Sequence, residues 1–497
     1  MAVAYKWIVL SNTTIGSLMA SIDTTIVLIA LPNILVNLPQ TSVNDGVWMV
    51  LGYELVTSTL ILNFGRLGDM FGRVKMYNFG FALFTVGSFL CSLSQTGLEL
   101  IALRLFQGIG AALIWSNSSA IIADAFPLAE RGKALGINQA AVVSGTVVGL
   151  VLGGVLTSLL GWRSIFWINV PIGIFATFWA YYQLKEIAKI KKGEKLDISG
   201  NVTFAVGLTL VLIGITFGAL NGFDVLTEAS LLIGAVLLLI FVWIEAHVKD
   251  PMIQITLFKN RVFSSGNFAA LFFSLARGAY SFVLVFYFQG PLGFDPLTAG
   301  LLLIPTSATV VLFGPLSGWL SDLHGPKWFA VGGLAIMSVA FIVFSQLPGN
   351  VAYTIFVIPM ILLGIGSGMF SSPNRNVTLI SVPPFRRGIA AGTNSTIANI
   401  GIVLSLGISV VLLAASVPRS ILLNVFDGIS SGSAIGLSSF TTGMHDMWYF
   451  CAIASLLGII PVTIGYGSMT ELKGDGMPNH EKEDEEEEEE KRTEKTL

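Results

Sequence analysis

Long apolar segments separated by short polar loops dominate this chain. Fourteen of them are long enough to cross a bilayer as a helix, which takes about 20 residues. Each segment is continuously apolar instead of alternating, which favours helices over the strands of a transmembrane barrel. The pattern predicts an all-α membrane protein with spans at residues 7–31, 46–66, 76–95, 100–123, 134–159, 164–185, 200–220, 229–248, 263–288, 297–320, 328–347, 352–372, 388–415 and 447–467.

The composition agrees with a bilayer environment. Of 497 residues, 54% are hydrophobic and 11% are charged, whereas soluble domains average about 25% charged residues. The two cysteines lie in apolar runs and the four histidines have no ligand spacing, so we predict no metal site and no cofactor. A phosphate-binding loop and a Ser/His/Asp arrangement are both missing from the sequence, so we expect neither an enzyme nor a nucleotide-driven pump.

Lysine and arginine are distributed unequally between the loops. If the N-terminus is cytoplasmic, 23 of the 27 basic residues fall on the cytoplasmic side. The positive-inside rule therefore predicts that both termini are cytoplasmic and that the loop at 416–446 is external. Residues 471–497 have a net charge of −7 and no apolar periodicity, which predicts an acidic, disordered cytoplasmic tail.

An internal repeat divides the chain. The pattern Gly-x-Leu-x-Asp-x-x-Gly at 65–72 recurs at 318–325, and Gly-x-Gly at 108–110 recurs at 364–366. Matches in the same order at nearly the same spacing indicate two related halves. Parallel repeats of this kind place a substrate cavity between the halves, near the midplane of the membrane.

The repeat predicts the domain organisation. Two related six-helix bundles flank a lysine-rich linker and two extra helices. The expected units are an N-terminal bundle at 1–185, the linker and extra helices at 186–262, a C-terminal bundle at 263–470, and the tail at 471–497.

Four local patterns are shared with one known family. They are GRLGDMFGRVK at 65–75, RLFQGIG at 104–110, a glycine series on the fifth span, and DTTI at 23–26 followed by ALP at 30–32. Together they resemble the major facilitator superfamily, and within it the fourteen-helix drug:proton antiporter branch. The resemblance extends from residue 1 to about residue 467. Leu150 stands where the antiporter motif of the fifth span normally has proline, so we expect that helix to be less kinked.

The resemblance implies a fold and a function. The fold is the major facilitator fold with two inserted helices. The function is proton-coupled antiport by alternating access, which exports lipophilic drugs or toxic compounds, cations among them, from the cell. The expected partners are the lipid bilayer, a small-molecule substrate and protons, with no nucleic acid, and we expect a monomer in the cell membrane.

Two alternatives stay open at this stage. A carrier of the same fold could move a sugar, organic acid, amino acid or siderophore, and intramembrane arginines that bind substrate would favour it. A membrane sensor or scaffold that does not transport could instead signal through the acidic tail.

Ionisable residues inside the spans are candidates for proton coupling, because each costs about 2.5–3.5 kcal/mol at a helix centre. Asp23, Glu54 and Arg104 are expected some 8–14 Å below the external surface, with Arg277 at a similar depth in the other half. We expect Asp23 to carry the proton first, Glu54 second, and Arg104 to tune them. The alternative is a static Asp23–Arg104 ion pair that only fixes helix packing.

Polar and aromatic residues near these charges are candidates for the substrate cavity, although each aromatic could equally face lipid or core. A cavity with aromatic walls and acidic groups would suit a lipophilic cation. The predicted cavity set is Arg277, Gln107, Trp115, Asn117, Tyr280 and Phe286.

Two further motifs predict moving parts. The loop glycines allow a tight turn, and charged residues there are expected to latch the two halves at the cytoplasmic side; the alternative is a simple topology anchor. On the fifth span, small residues four apart would let two helices approach closely. The latch set is Gly65, Asp69, Gly72, Arg73 and Asp124, and the fifth-span set is Gly145, Gly149, Gly153 and Gly154.

Overall fold

The computed structural model describes residues 4–187, 196–248, 251–349, 351–383, 387–418, 421 and 434–466. In this part of the chain, fourteen helical segments are long and apolar enough to span a membrane, which confirms the predicted all-α membrane fold. The acidic tail at 471–497 and residues 419–420 and 422–433 of the predicted external loop lie outside the described residues. The last helix begins at Ala434, well before the predicted start of its span at residue 447, so the predicted loop at 416–446 is too long. The helices are α1 (Tyr5–Asn37), α2 (Val43–Phe71), α3 (Arg73–Leu93), α4 (Gly97–Ala125), α5 (Leu128–Leu160), α6 (Ser164–Trp167), α7 (Asn169–Gln183), α8 (Ile198–Asn221), α9 (Val225–His247), α10 (Arg261–Arg277), α11 (Tyr280–Gln289), α12 (Pro296–Leu302), α13 (Ile304–His324), α14 (Pro326–Gln346), α15 (Tyr353–Ile380), α16 (Arg387–Ser416) and α17 (Ala434–Gly465).

The hydrophobic pattern does not show where helices break. Three predicted spans are each built from two helices, with breaks at Ile168, at Gly278–Ala279 and at Leu303. Conversely, α1 continues through Pro32 to Asn37, six residues beyond the predicted end of the first span at residue 31. Neighbouring helices can compensate the backbone groups that a proline disturbs inside a membrane bundle.

The sequence repeat is also a structural repeat. Gly72, between α2 and α3, has φ +108°, and Gly325, between α13 and α14, has φ +91°. L side chains rarely adopt these left-handed values, so glycine is required at both turns. A close crossing repeats as well: a Cβ on Gly80 would lie 3.0 Å from Gly110 O, and one on Gly333 would lie 2.7 Å from Gly366 O.

The glycine series of α5 brings this helix against α1. A Cβ on Gly145, Gly149 or Gly153 would lie 2.8–3.0 Å from a carbonyl oxygen of α1. Because these glycines are four residues apart, they form one face that follows α1 over two turns. Asp23 lies on the α1 segment that this contact holds in place.

The halves make close contacts at the end of the bundle where α1 ends, which we call the distal end. A Cβ on Gly154 would lie 2.6 Å from Leu297 Cα in α12. Gln289 Nε2, at the end of α11, donates to Ile29 O at 2.9 Å. The fourth glycine of the α5 motif therefore contacts the other half, unlike the first three.

The opposite end, where the arginine-rich α2–α3 loop lies, is here called the basic end. Arg375 Nη1 donates to Gln139 Oε1 of α5 across the two halves at 2.6 Å. Gly136, on the same part of α5, has no atom within 4 Å of the position its Cβ would take, and Ile137 is 40% exposed. The α5 surface is thus open at the basic end and closed at the distal end.

The inserted helices α8 and α9 pack on each other, and α8 also packs on α2 and α16. Trp48 Nε1 of α2 donates to Thr216 Oγ1 of α8 at 3.3 Å. A Cβ on Gly407 of α16 would lie 3.3 Å from Ile215. The pair therefore contacts both halves along one side of the bundle.

The contact between α1 and α5 gives a stability prediction. Replacing Gly149 with leucine inserts a side chain against Ile22 and Thr25, and such overpacking costs about 1–3 kcal/mol. We expect a lower melting temperature in detergent, measured by intrinsic fluorescence. The matched control is Gly136→Leu on the same helix, where space is open; equal losses in both variants would contradict the close-approach argument.

Candidate functional site

A fully buried polar cluster lies between α1, α4 and α7. Arg104 Nη1 donates to Asp23 Oδ2 at 2.5 Å, while Gln107 Nε2 and Asn169 Nδ2 donate to Asp23 Oδ1 at 2.9 and 2.8 Å. All four side chains are at most 2% exposed. We call Asp23, Arg104, Gln107 and Asn169 the Asp23 cluster. Its carboxylate accepts from three donors, which compensates the charge in a medium without water.

A second set of contacts orients the Asp23 cluster. The guanidinium of Arg104 lies 4.0 Å from the centre of the Tyr53 ring, a cation–π contact, and Arg104 Nη1 donates to Gln107 Oε1 at 2.7 Å. Asn169 Nδ2 also donates to Ser88 Oγ at 3.1 Å, which ties the cluster to α3. Side chains of α2, α3, α4 and α7 thus contact either Asp23 or a side chain that binds it.

Sequence reasoning missed Asn169 and Ser88. Asn169 begins α7 directly after the break at Ile168, and the only signal was a lone amide in an apolar run. A buried amide needs partners, but the identity of its partner depends on how the helices pack.

Glu54 lies next to the cluster without joining it. It is one residue from Tyr53, and the charges of Arg104 and Asp23 act on it electrostatically. Its side chain is only partly buried, and within the described residues no hydrogen bond or ion pair to its carboxylate is present. Glu54 is therefore the more accessible of the two candidate carboxyls.

Arg277 does not belong to the Asp23 cluster. It ends α10 directly before the break at Gly278–Ala279. Its buried Nε has no hydrogen-bond partner in the described part of the chain, and among these residues its nearest titratable neighbour in sequence and in charge interaction is Tyr280. In this conformation Asp23 and Arg104 form an ion pair, whereas Arg277 has no acidic partner among the described residues.

Most of the predicted substrate-cavity residues are buried or half-buried in this conformation. Tyr280 and Phe286 are buried in the main apolar core, and Tyr280 Oη is within 2.6 Å of Thr306 Oγ1. Asn117 is buried against Gly68 between α2 and α4, and Trp115 packs half-buried against the core of the N-terminal half. Those predictions need correction, because hydropathy alone does not tell which face of an apolar helix meets a cavity.

The α2–α3 loop contains the predicted charge cluster. Arg73 pairs with Asp69 and Asp124, each at 2.7 Å. Glu186, just after α7, accepts from the Arg73 and Val74 amides at 3.0 Å. These contacts join elements of the N-terminal half, so a latch between the two halves stays a prediction.

The two loop glycines differ in their roles. Gly72 is required at the turn, because a Cβ would lie 2.6 Å from Glu186 Oε2 in addition to the strain of its positive φ. Gly65 lies inside α2 and has open space around it. The prediction that Gly65 shapes the turn was therefore wrong.

Two repeated bundles, fourteen membrane-spanning helices and a buried ion pair between spans define a multi-pass membrane transporter. The family model of the Major Facilitator Superfamily matches residues 13–406 and 266–465. The chain belongs to this family, whose members are transporters and not enzymes.

Known relatives agree with this assignment. The chain is 35% identical over 402 residues to the riboflavin transporter RibZ of Clostridioides difficile (strain 630), covering 80% of this chain and 86% of the relative. It is 31% identical to the multidrug resistance protein Stp of Mycobacterium tuberculosis (strain CDC 1551 / Oshkosh), covering 81% and 75%.

A solved structure shows the same fold. The crystal structure of a bacterial homologue of the human lysosomal transporter Spinster, inward-facing and unoccupied, superposes with a TM-score of 0.64 at 17% identity. The match covers 94% of this chain and all of that one.

The Asp23 cluster predicts a charge-compensation effect. Arg104→Gln would leave the buried Asp23 carboxylate without a counter-ion, which costs about 3–5 kcal/mol. We expect a clear loss of thermal stability in detergent, largely restored in the double variant Asp23→Asn/Arg104→Gln. Arg163→Gln, which removes an arginine that donates to Ser94 O, is the control. An Arg104→Gln protein that melts like the parent would contradict the compensation argument.

Proposed function

We propose that this protein is a proton-coupled antiporter that exports lipophilic small molecules by alternating access of its two six-helix bundles. The observation that supports this most directly is the Asp23–Arg104 ion pair, buried inside the spans with Glu54 beside it. Proton carriers inside a membrane are typically carboxyls, since intramembrane arginine does not release its proton. The similarity to a multidrug resistance protein supports the substrate class.

The two carboxyls have different tasks in this proposal. Glu54 is partly exposed and exchanges protons with water, whereas Asp23 is sealed by three donors. A proton on Asp23 would remove the charge that holds Arg104 and would loosen α1 from α4. The static ion pair that the sequence left open as an alternative is then one state of the transport cycle. Glu54, instead of Asp23, is the first residue to take up a proton.

The proposal also assigns a direction. If the basic end is cytoplasmic, as the positive-inside rule predicts, the open α5 surface faces the cytoplasm and the closed distal end faces outward. Substrate would then enter from the cytoplasm and leave after protons arrive from outside. Exchange of one proton against 100 mV of driving force provides about 2.3 kcal/mol, enough for about 50-fold accumulation.

Reconstitution into vesicles tests the proton coupling. With an imposed pH gradient we expect accumulation of a fluorescent lipophilic dye, and we expect Glu54→Gln to abolish the dependence on the gradient while downhill dye exchange continues. Glu228→Gln, which removes an exposed carboxyl at the start of α9, should behave like the parent. Dye flux that is indifferent to the gradient in the parent protein would refute the antiport.

Arg277 supports a second candidate substrate class. A partly buried guanidinium that has no acidic partner among the described residues favours a ligand with carbonyl or anionic acceptors, instead of a cation. Similarity to a protein named as a riboflavin transporter points the same way, because a flavin ring is flat, aromatic and rich in acceptors. The alternative is thus an exporter or importer of such compounds through the same cycle.

The charge at position 277 separates the two classes. If the substrate has acceptors, Arg277→Gln should reduce riboflavin flux strongly, and Arg277→Lys should retain part of it because the charge remains. Flux of a cationic dye should then be unchanged or increased. Riboflavin fluorescence in vesicles gives the measurement. Equal behaviour of both probes in Arg277→Gln would remove the second candidate.

A further inference from the structure

The inserted helices begin and end at a pair of buried carboxylates. Asp197 caps α8: its Oδ1 accepts from Gly200 N at 2.7 Å and from Ser199 Oγ at 2.8 Å. Its other oxygen, Oδ2, is buried without a partner, and the residue is only 4% exposed. One half of this carboxylate is therefore satisfied, and the other half is not.

Glu245, in the last turn of α9, has the same asymmetry. Its Oε2 accepts from Ile253 N at 2.8 Å, whereas Oε1 is buried without a partner, and the residue is 3% exposed. A Cβ on Gly200 would lie 2.8 Å from Glu245 Oε1 and would also overlap Asp197 Oδ2. The two unpartnered oxygens thus face the same small space beside Gly200.

Two buried carboxylates in one space cannot both stay ionised without compensation. The other charge that acts on Glu245 is Arg66 of α2, and its guanidinium donates to Pro251 O. A carboxylate oxygen only accepts hydrogen bonds, whereas a protonated carboxyl also donates one. One proton would therefore satisfy both oxygens with a single O–H···O bond.

We propose that Asp197 and Glu245 bind one exchangeable proton between them, at a site in the inserted helices that is separate from the Asp23 cluster. A hard metal cation fits less well, because it takes six or more oxygen ligands. Only these two oxygens are unpartnered beside Gly200 in the described part of the chain. The site is independent of whether transport itself is proton-coupled.

The proposed proton site contacts the segment that follows α9. Glu245 accepts a hydrogen bond from the Ile253 amide, and Arg66 donates one to Pro251 O. The buried Met252 lies between Asn63 and Asn201. Residues 251–253, here the junction segment, connect α9 to the C-terminal half. Loss of the shared proton places two like charges side by side, and their repulsion pushes Glu245, with the segment bonded to it, away from Asp197.

Labelling with dicyclohexylcarbodiimide tests the proposal, since this reagent modifies protonated carboxyls in apolar surroundings. The purified full-length protein is labelled from about pH 5 to about pH 9, and modification of Glu245 is quantified by peptide mass spectrometry. We expect labelling that falls with rising pH. In Asp197→Asn, whose amide can donate to an ionised Glu245, the midpoint should fall by about one pH unit. Asp224→Asn, at the exposed cap of α9, should leave the midpoint unchanged.

Three results would overturn the shared proton. They are no labelling of Glu245 at any pH, an unchanged midpoint in Asp197→Asn, or labelling that sodium suppresses relative to choline, which would indicate a bound cation.

A second measurement does not depend on that variant. In Glu245→Gln the amide donates to Asp197 Oδ2 as the proton did, so the loss of thermal stability that the parent shows with rising pH should disappear. If parent and Glu245→Gln melt with the same pH dependence, the proposal is wrong.

Discussion

The N-terminal half is organised around one constraint: a charge inside the membrane must be compensated where it lies. Arg104 and Asp23 are both buried, and each alone would cost about 2.5–3.5 kcal/mol at a helix centre. Their pairing fixes α4 against α1, and Asn169 adds α7 through the same carboxylate. The glycine face of α5 packs against the opposite side of α1. The position of Asp23 therefore depends on the close packing of these two helix backbones as much as on its hydrogen-bond partners.

The two halves repeat their helix packing but not their charges. The turn glycines Gly72 and Gly325 and the crossings at Gly110 and Gly366 are equivalent, whereas the Asp23 cluster has no counterpart around Arg277. The N-terminal half thus contains a compensated buried ion pair, and the C-terminal half contains an arginine that has no acidic partner among the described residues. Because unsatisfied groups gain most from a ligand, the proposed acceptor-bearing substrate would bind through the C-terminal half.

The sequence predicted what depends on length and local pattern. The fourteen spans follow from the lengths of the apolar runs. The Asp23–Arg104 pair follows from the free-energy cost of a lone charge inside the membrane and from the similar depth of the two residues. It did not predict the breaks at Ile168 and Leu303, because a residue can leave helical geometry without changing hydropathy. It also misplaced Phe286 and Asn117, since an apolar helix in a bilayer has no solvent face to mark its orientation.

The need to compensate buried charge also applies to the inserted helices between the two halves. Arg66 belongs to the motif at 65–75 that also contains Arg73, the partner of Asp124, and it binds the junction segment after α9. Any rotation of α2 that moves Arg66 therefore acts on Pro251 and, through Ile253, on Glu245. This chain of contacts links the N-terminal half to the start of the C-terminal half without crossing the central interface. A twelve-helix arrangement, which has no inserted pair, would lack this chain of contacts.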